Sequence, residues 1–229
     1  MALYDTQLPV RDDLDAAHAA VVERWAQTGT WWTGAERLAI VAEVRRARDA
    51  EELAPWIAPS SVDGLVPDDH PLPAPAVDAI WRLTNHPGTL TGDWYETIID
   101  RGLAPGAYIE LVGVVAQAND IDRFADALEL DRPRLPTPQE GEPVRRFDGD
   151  VDQRRHWVPT DQVKGPNVLK ALSAVPFEVD SMRILSKVQY LDVDGGGLLE
   201  DLASDQNSLS RLQVELVAAR TSKLNECFY

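Results

Sequence analysis

The stretch Pro105-Gly106-Ala107-Tyr108-Ile109-Glu110-Leu111-Val112-Gly113-Val114-Val115-Ala116-Gln117-Ala118-Asn119-Asp120-Ile121 decides the fold class. Proline suits the first turn of a helix, because its missing N–H is one of the donors a helix start leaves unpaired anyway. Behind it, Tyr108, Leu111, Val112, Val115, Ile121, Phe124 and Leu128 recur at helical spacing, and nearly every face of the first half is apolar. A helix apolar all round sits in the middle of a bundle or between subunits. Glu110 and Gln117 interrupt the apolar run, which also falls well short of the roughly 20 residues a membrane span needs.

Helical signals continue on both sides. Asp12–Gln27 places Leu14, His18, Val21, Val22 and Trp25 at helical spacing and stops at Gly29. Thr33-Gly34-Ala35-Glu36 is a capping box, the Thr33 hydroxyl accepting from the backbone and Glu36 reaching back, ahead of Leu38, Val41, Val44 and Ala47. Pro75 opens a helix through Trp81 and Leu83, ended by Asn85-His86-Pro87-Gly88, and a short helix around Trp94–Ile99 stops at Gly102. Between residues 131 and 166 lie six of the sixteen prolines with few large aliphatics, the composition of a strap or linker. Further helices are expected over Val168–Ser173, Glu178–Leu191 and Ser210–Asn225, with a turn at Asp192–Gly197. No alternating strand pattern competes, so the fold class is all-α.

The chain has 229 residues, 44% of them hydrophobic, enough for a real core and not the composition of a disordered chain. Twenty-two basic against 38 acidic residues leave a net charge of −16, a field that repels nucleic-acid backbones and anionic membranes. The first thirteen residues lack the basic start and apolar run of a secretory signal, so the expected location is the cytoplasm. The single cysteine, Cys227, makes no internal disulfide. His18 reads as a partly buried packing residue, and Trp25, Trp31 and Trp32 as core between the first two helices. His70, His86 and His156 fall in loops; Asp68-Asp69-His70 lacks further metal ligands at useful spacing. Asp192–Gly197 has the start of a calcium loop but Ala203 at the twelfth position, so it is a turn.

Ser210-Arg211-Leu212-Gln213 is a second capping box, 177 positions after the first. At that offset Ile40 falls on Val217 and Ala47 on Leu224, the pattern of a duplicated helical unit with the strap between copies. The segment from Glu215 to Tyr229, ending Asn225-Glu226-Cys227-Phe228-Tyr229, resembles the catalytic segment of the alkylhydroperoxidase D and carboxymuconolactone decarboxylase superfamily. In the peroxidase branch a Glu precedes a Cys-x-x-Cys pair by twelve positions, the spacing of Glu215 and Cys227, and a His follows. Tyr108–Val115 with Asp122-Arg123-Phe124, and Asn167–Leu172 before a proline, also resemble family helices. The likeness covers Trp32–Leu130 as one repeat and Asn167–Tyr229 as the opening part of another. The first repeat has Leu38 and Ala50 at the positions of Glu215 and Cys227 and reads as degenerate.

The resemblance implies a thiol-dependent hydroperoxide reductase: the pair's second cysteine attacks the peroxide, Cys227 resolves it, Glu215 and the His relay protons, and a dithiol protein restores the pair. It implies no cofactor, and it implies homo-oligomers, with Tyr108–Val115 the expected interface. The second cysteine falls at position 230, one past Tyr229, which invites a UGA codon read as selenocysteine. As given, the chain is expected to be inactive. Two other readings stay open. Read from its neighbours alone, Glu215, four residues after Arg211, forms a surface ion pair. The chain as a whole also fits a non-catalytic helical interaction module that keeps the fold.

Overall fold

The computed structural model of the protein describes residues 2–50, 66–152, 156–161, 167–190 and 209–224. Among these it is all-helical: α1 (Asp12–Trp25), α2 (Gly34–Asp49), α3 (Ala74–Asn85), α4 (Gly92–Asp100), α5 (Pro105–Ala127), α6 (Asn167–Lys170), α7 (Pro176–Gln189) and α8 (Arg211–Leu224), with a 3-10 turn at Pro87–Thr89. The pairing described outside helices is one antiparallel bridge, Asp152 with Thr160. No helix among the described residues is long and apolar enough to cross a membrane.

The bundle is built around α5. Tyr108, Ile109, Leu111, Val114, Val115, Ala118 and Ile121 are all buried, because α2, α3 and α7 pack on different sides of this one helix. Of the two places open to an all-apolar helix, the middle of the chain's own bundle is the one observed. Tyr108–Val115 is therefore covered by its own chain, and the expectation that it forms an interface between subunits is corrected.

Helix α2 starts where its capping box places it. The Glu36 N–H donates to Thr33 Oγ1 at 3.2 Å, and the Thr33 N–H donates to Glu36 Oε2 at 2.8 Å. Its core side presents Leu38, Ile40, Val41, Val44 and Ala47 to α3 and α5. Burying aliphatic side chains of this size stabilises by about 1.5–3 kcal/mol each before chain entropy is counted. Trp25 and Trp32 fill the space between α1, α2 and α5, their indole N–H groups donating to Gln117 Oε1 and to the Ala107 carbonyl. Trp31 is half-buried and packs on Phe147 of the strap, ring centroids 5.3 Å apart. The strap crosses the α1–α2 turn in extended form, held by Gln139 N–H on the Ala26 carbonyl and Arg145 N–H on the Thr30 carbonyl.

Helix α7 belongs to this same bundle, packed on α1 and α5. Arg24 clasps its start, donating to Ser181 Oγ and the Phe177 carbonyl at 2.8 Å each, and Arg11 reaches the Val188 carbonyl near its end. Pro176 occupies its first turn, two residues before the start expected at Glu178. α6 is a single turn that ends at Lys170 rather than Ser173. The Asp192–Gly197 turn, Asn225 and Cys227 lie outside the described residues.

Candidate functional site

Of the two residues the sequence singled out, the structure describes Glu215. It lies in the first turns of α8, whose start is fixed by the second capping box: the Ser210 N–H donates to Gln213 Oε1 at 2.8 Å and the Gln213 N–H donates to Ser210 Oγ at 3.4 Å. Two donors converge on its carboxylate. The Tyr190 hydroxyl, at the end of α7, donates to Oε2 at 2.7 Å, and Arg211 Nε donates to Oε1 at 2.7 Å. The Tyr190 hydrogen bond, with Arg211 behind it, holds the carboxyl below the usual carboxylate range. The Tyr190 phenol is pushed up by burial and by the Glu215 carboxylate. The surface ion pair with Arg211 is thus present, and Tyr190 adds a partner from another helix. With its side chain 41% exposed, Glu215 is a carboxylate ionised at neutral pH and still open to solvent.

Around it α8 buries none of its residues. Leu212, Leu216, Val217 and Leu224 are 69, 70, 59 and 66% exposed. At the positions 177 residues earlier, Leu38 of α2 is buried in the core and Ala50, just past the end of α2, carries no reactive group.

The most heavily buried polar group was not found from sequence. Arg37 Nη1 donates at 2.6 Å to Glu110 Oε1 and at 2.6 Å to Glu178 Oε1, with all three side chains fully buried. Gln117 Nε2 donates to Glu178 Oε2 at 2.6 Å, and the Trp31 N–H donates to Glu110 Oε2 at 2.7 Å, so each carboxylate oxygen has a donor. Arg24 and Arg37 both lie over the Phe177 ring, 3.9 and 5.0 Å from its centroid. Two guanidinium groups and two carboxylates therefore balance. Burial works against the Arg37 charge, and Glu178 and Glu110 outweigh it, raising its pKa; burial raises that of Glu110 despite Arg37.

Two glycines make the room. A methyl at Gly29 collides with the Glu110 carboxylate, and one at Gly113 falls 2.7 Å from Glu178 Cγ. The cluster ties α1, α2, α5 and α7 together inside the bundle, and its role is to fix how they pack. The sequence did carry a signal for it: Glu110 and Gln117, seven apart on one side of an otherwise apolar helix, mark a polar seam.

Smaller polar groups serve the same end. His18 is fully buried, its Nδ1 2.6 Å from the Tyr4 hydroxyl and its Nε2 2.8 Å from Gln189, so it is a bonded core histidine rather than a partly buried packing residue. Arg82 pairs with Asp78, which also accepts from Trp94 Nε1. Glu43 accepts from Trp81 Nε1 and Arg46 and faces His70. Among the described residues no group of three or more His, Cys, Asp or Glu is arranged to hold a metal ion. No family model, no curated protein and no solved structure matches this chain.

Proposed function

We propose that the chain belongs to a thiol- or selenol-dependent peroxidase of the alkylhydroperoxidase type, with Glu215 as proton acceptor and Cys227 as resolving thiol. The observation that carries the reading is an ionised, solvent-open carboxylate on a capped helix, twelve positions before the only cysteine. Its Tyr190 and Arg211 contacts keep it deprotonated, the form a relay through the family's His would use to take the proton from a thiol or selenol. The resulting thiolate or selenolate attacks the outer peroxide oxygen; the O–O bond breaks, the alcohol leaves with a proton, and the attacking atom is oxidised to the sulfenic or selenenic acid. The Cys227 thiolate then displaces water from that acid, forming the internal bond, and a dithiol protein reduces it back by exchange.

Position 230 is where the family spacing puts the attacking atom, and the partners are a hydroperoxide and a dithiol reductant in the cytoplasm. Reading the native gene past the Tyr229 codon tests this directly. A cysteine codon or UGA at position 230, in frame with a following His, is the expected result, and peroxide consumption by that product should be lost in Cys227→Ser and strongly reduced in Glu215→Gln. A stop codon with no such frame behind it overturns the proposal. A second reading, a helical interaction or homo-oligomerisation module, is favoured by the exposed Leu212, Leu216, Val217 and Leu224 of α8. It predicts self-association that weakens when Leu212 and Leu216 are changed to Ser, measured by sedimentation of the chain at micromolar concentration.

A further inference from the structure

Residues 2–10 run as an irregular arm ahead of α1, and its hold on the bundle is concentrated at Leu3 and Tyr4. The Leu3 N–H donates to both carboxylate oxygens of Asp15 at 3.0 Å, and the Tyr4 N–H donates to Oδ1 at 3.1 Å. The Tyr4 hydroxyl lies 2.6 Å from His18 Nδ1, one turn further along α1. Its ring is buried against His18 and against Phe124 of α5, ring centroids 5.8 and 5.4 Å away. Further along, Asp5, Gln7, Leu8 and Pro9 are exposed, and the arm and the start of α1 enclose a hollow of about 400 Å³ whose walls include Leu8, Val10 and Asp12. The arm is thus pinned at its tip and arched elsewhere.

The pin is set by a chain of hydrogen bonds through four elements. A carboxylate only accepts, so Gln189 of α7 turns its amide nitrogen to Asp120 of α5, and that same Nε2 lies 2.8 Å from His18 Nε2. His18 Nε2 is then an acceptor, and Nδ1 carries the one ring proton and donates it to the Tyr4 oxygen. A second ring proton would set N–H against N–H at Gln189 in a fully buried place. The charged and titratable groups facing this pair are Asp15 from α1, Asp120 and Asp122 from α5, and Tyr4 itself; Asp122 is tied to Arg45 of α2, and α7 meets the ring with the uncharged Gln189. Burial, with Asp122, Asp15 and Asp120 around it, pushes the Tyr4 phenol up, so it keeps its proton.

We infer that residues 2–10 are an acid-released latch: the arm stays closed while His18 is neutral, and a second proton on His18 frees Tyr4 and lifts the arm off Phe124. The inference stands apart from Glu215 and Cys227. With the arm closed, burial outweighs Asp15 and holds the imidazole at about 4. With the arm lifted, Nδ1 meets water and the ring moves back toward its ordinary 6.5. Below 6.5 the open form binds a proton that the closed form refuses, so closure is at full strength above that pH and weakens as the pH falls toward 4.

Amide exchange followed by NMR on the full 229-residue chain, corrected for the intrinsic effect of pH, reads the latch at Leu3 and Tyr4 and the bundle at residues 111–118 of α5. Between pH 7 and pH 5 protection at Leu3 and Tyr4 should fall about tenfold while α5 keeps its own. His18→Gln keeps a polar side chain that takes no proton, so there the fall should shrink to less than about twofold. An equal fall in His18→Gln would trace the release to Asp15 or Asp120 and overturn the latch. Loss of protection in α5 in step with the arm would overturn it too, since that is unfolding of the whole bundle. Tyr4→Ala gives a second reading that leaves α1 untouched. Proton uptake and closure exclude one another reciprocally, so removing the plug should raise the His18 titration midpoint, followed by its ring NMR signals, by about one pH unit. A midpoint that stays in place overturns the proposal.

Discussion

Helices α2 and α8 begin with the same device, a hydroxyl cap answered three residues later by a reaching side chain, yet they live in different surroundings. α2 buries Leu38, Ile40, Val41, Val44 and Ala47 and sends Arg37 into the centre of the bundle; α8 buries nothing and keeps its leucines in solvent. The cap settles where a helix starts, while what the helix contributes is settled by the neighbours that cover it. Stability accordingly resides in α2 and its partners, and α8 is free to carry chemistry or a contact at little cost to the fold.

The largest effect expected from this contrast concerns its two arginines. Arg37→Ala strands the carboxylates of Glu110 and Glu178 in the interior and should destabilise by about 3–5 kcal/mol in a urea unfolding curve. Arg211→Ala, removing a half-buried pair of the same chemical kind whose carboxylate stays 41% exposed, should cost less, about 1 kcal/mol. Equal losses would mean that α8 is as deeply committed to the fold as α2. The aliphatic pair at the 177-residue offset sharpens the point. Ile40→Ala in the core should cost about 2–5 kcal/mol, whereas Val217→Ala should stay within about 0.5 kcal/mol.

A third expectation concerns acid. Burial pushes the His18 imidazole down to about 4 from its ordinary 6.5, Asp15 opposing. Between those values the unfolded chain binds a proton that the folded chain refuses, so stability should be full above pH 6.5 and fall as the pH drops toward 4, by roughly 3 kcal/mol at most. His18→Gln should flatten that slope relative to the unaltered chain, and equal slopes would show that His18 does not set it. The smallest effects are at the caps. Thr33→Ala should cost about 1 kcal/mol and expose the first turn of α2 to hydrogen exchange; Ser210→Ala should change global stability by only a few tenths of a kcal/mol and act on α8 locally.

Helix starts were legible because their causes are local. Pro75, Pro105, Thr33 and Ser210 each mark a start to within about a residue, since a missing donor or a capping oxygen acts over a single turn. The same reasoning applied to Pro176 would have placed α7 correctly. The polar centre was legible only as the seam of Glu110 and Gln117 on α5, and its partners were not, for the opposite reason. Arg37 meets Glu178 across 141 residues and Arg24 meets Phe177 across 153, and no spacing rule links such partners. The neighbourhood of Glu215 was half legible: its pairing with Arg211 follows from four residues on one helix, whereas Tyr190, 25 residues earlier, had to be brought there by the fold.

The room left by Gly29 and Gly113 for two buried carboxylates gives the bundle a recognisable spelling. Gly29-x7-Arg37, then Glu110-x2-Gly113-x3-Gln117, then a distant Glu178 directly after Phe177, form a set whose members stand or fall together: a side chain at either glycine evicts a carboxylate, and losing a carboxylate removes the need for the glycine. Descendants of this chain would keep those letters in step to keep the bundle, so the cluster is a mark of kinship written independently of Glu215 and Cys227.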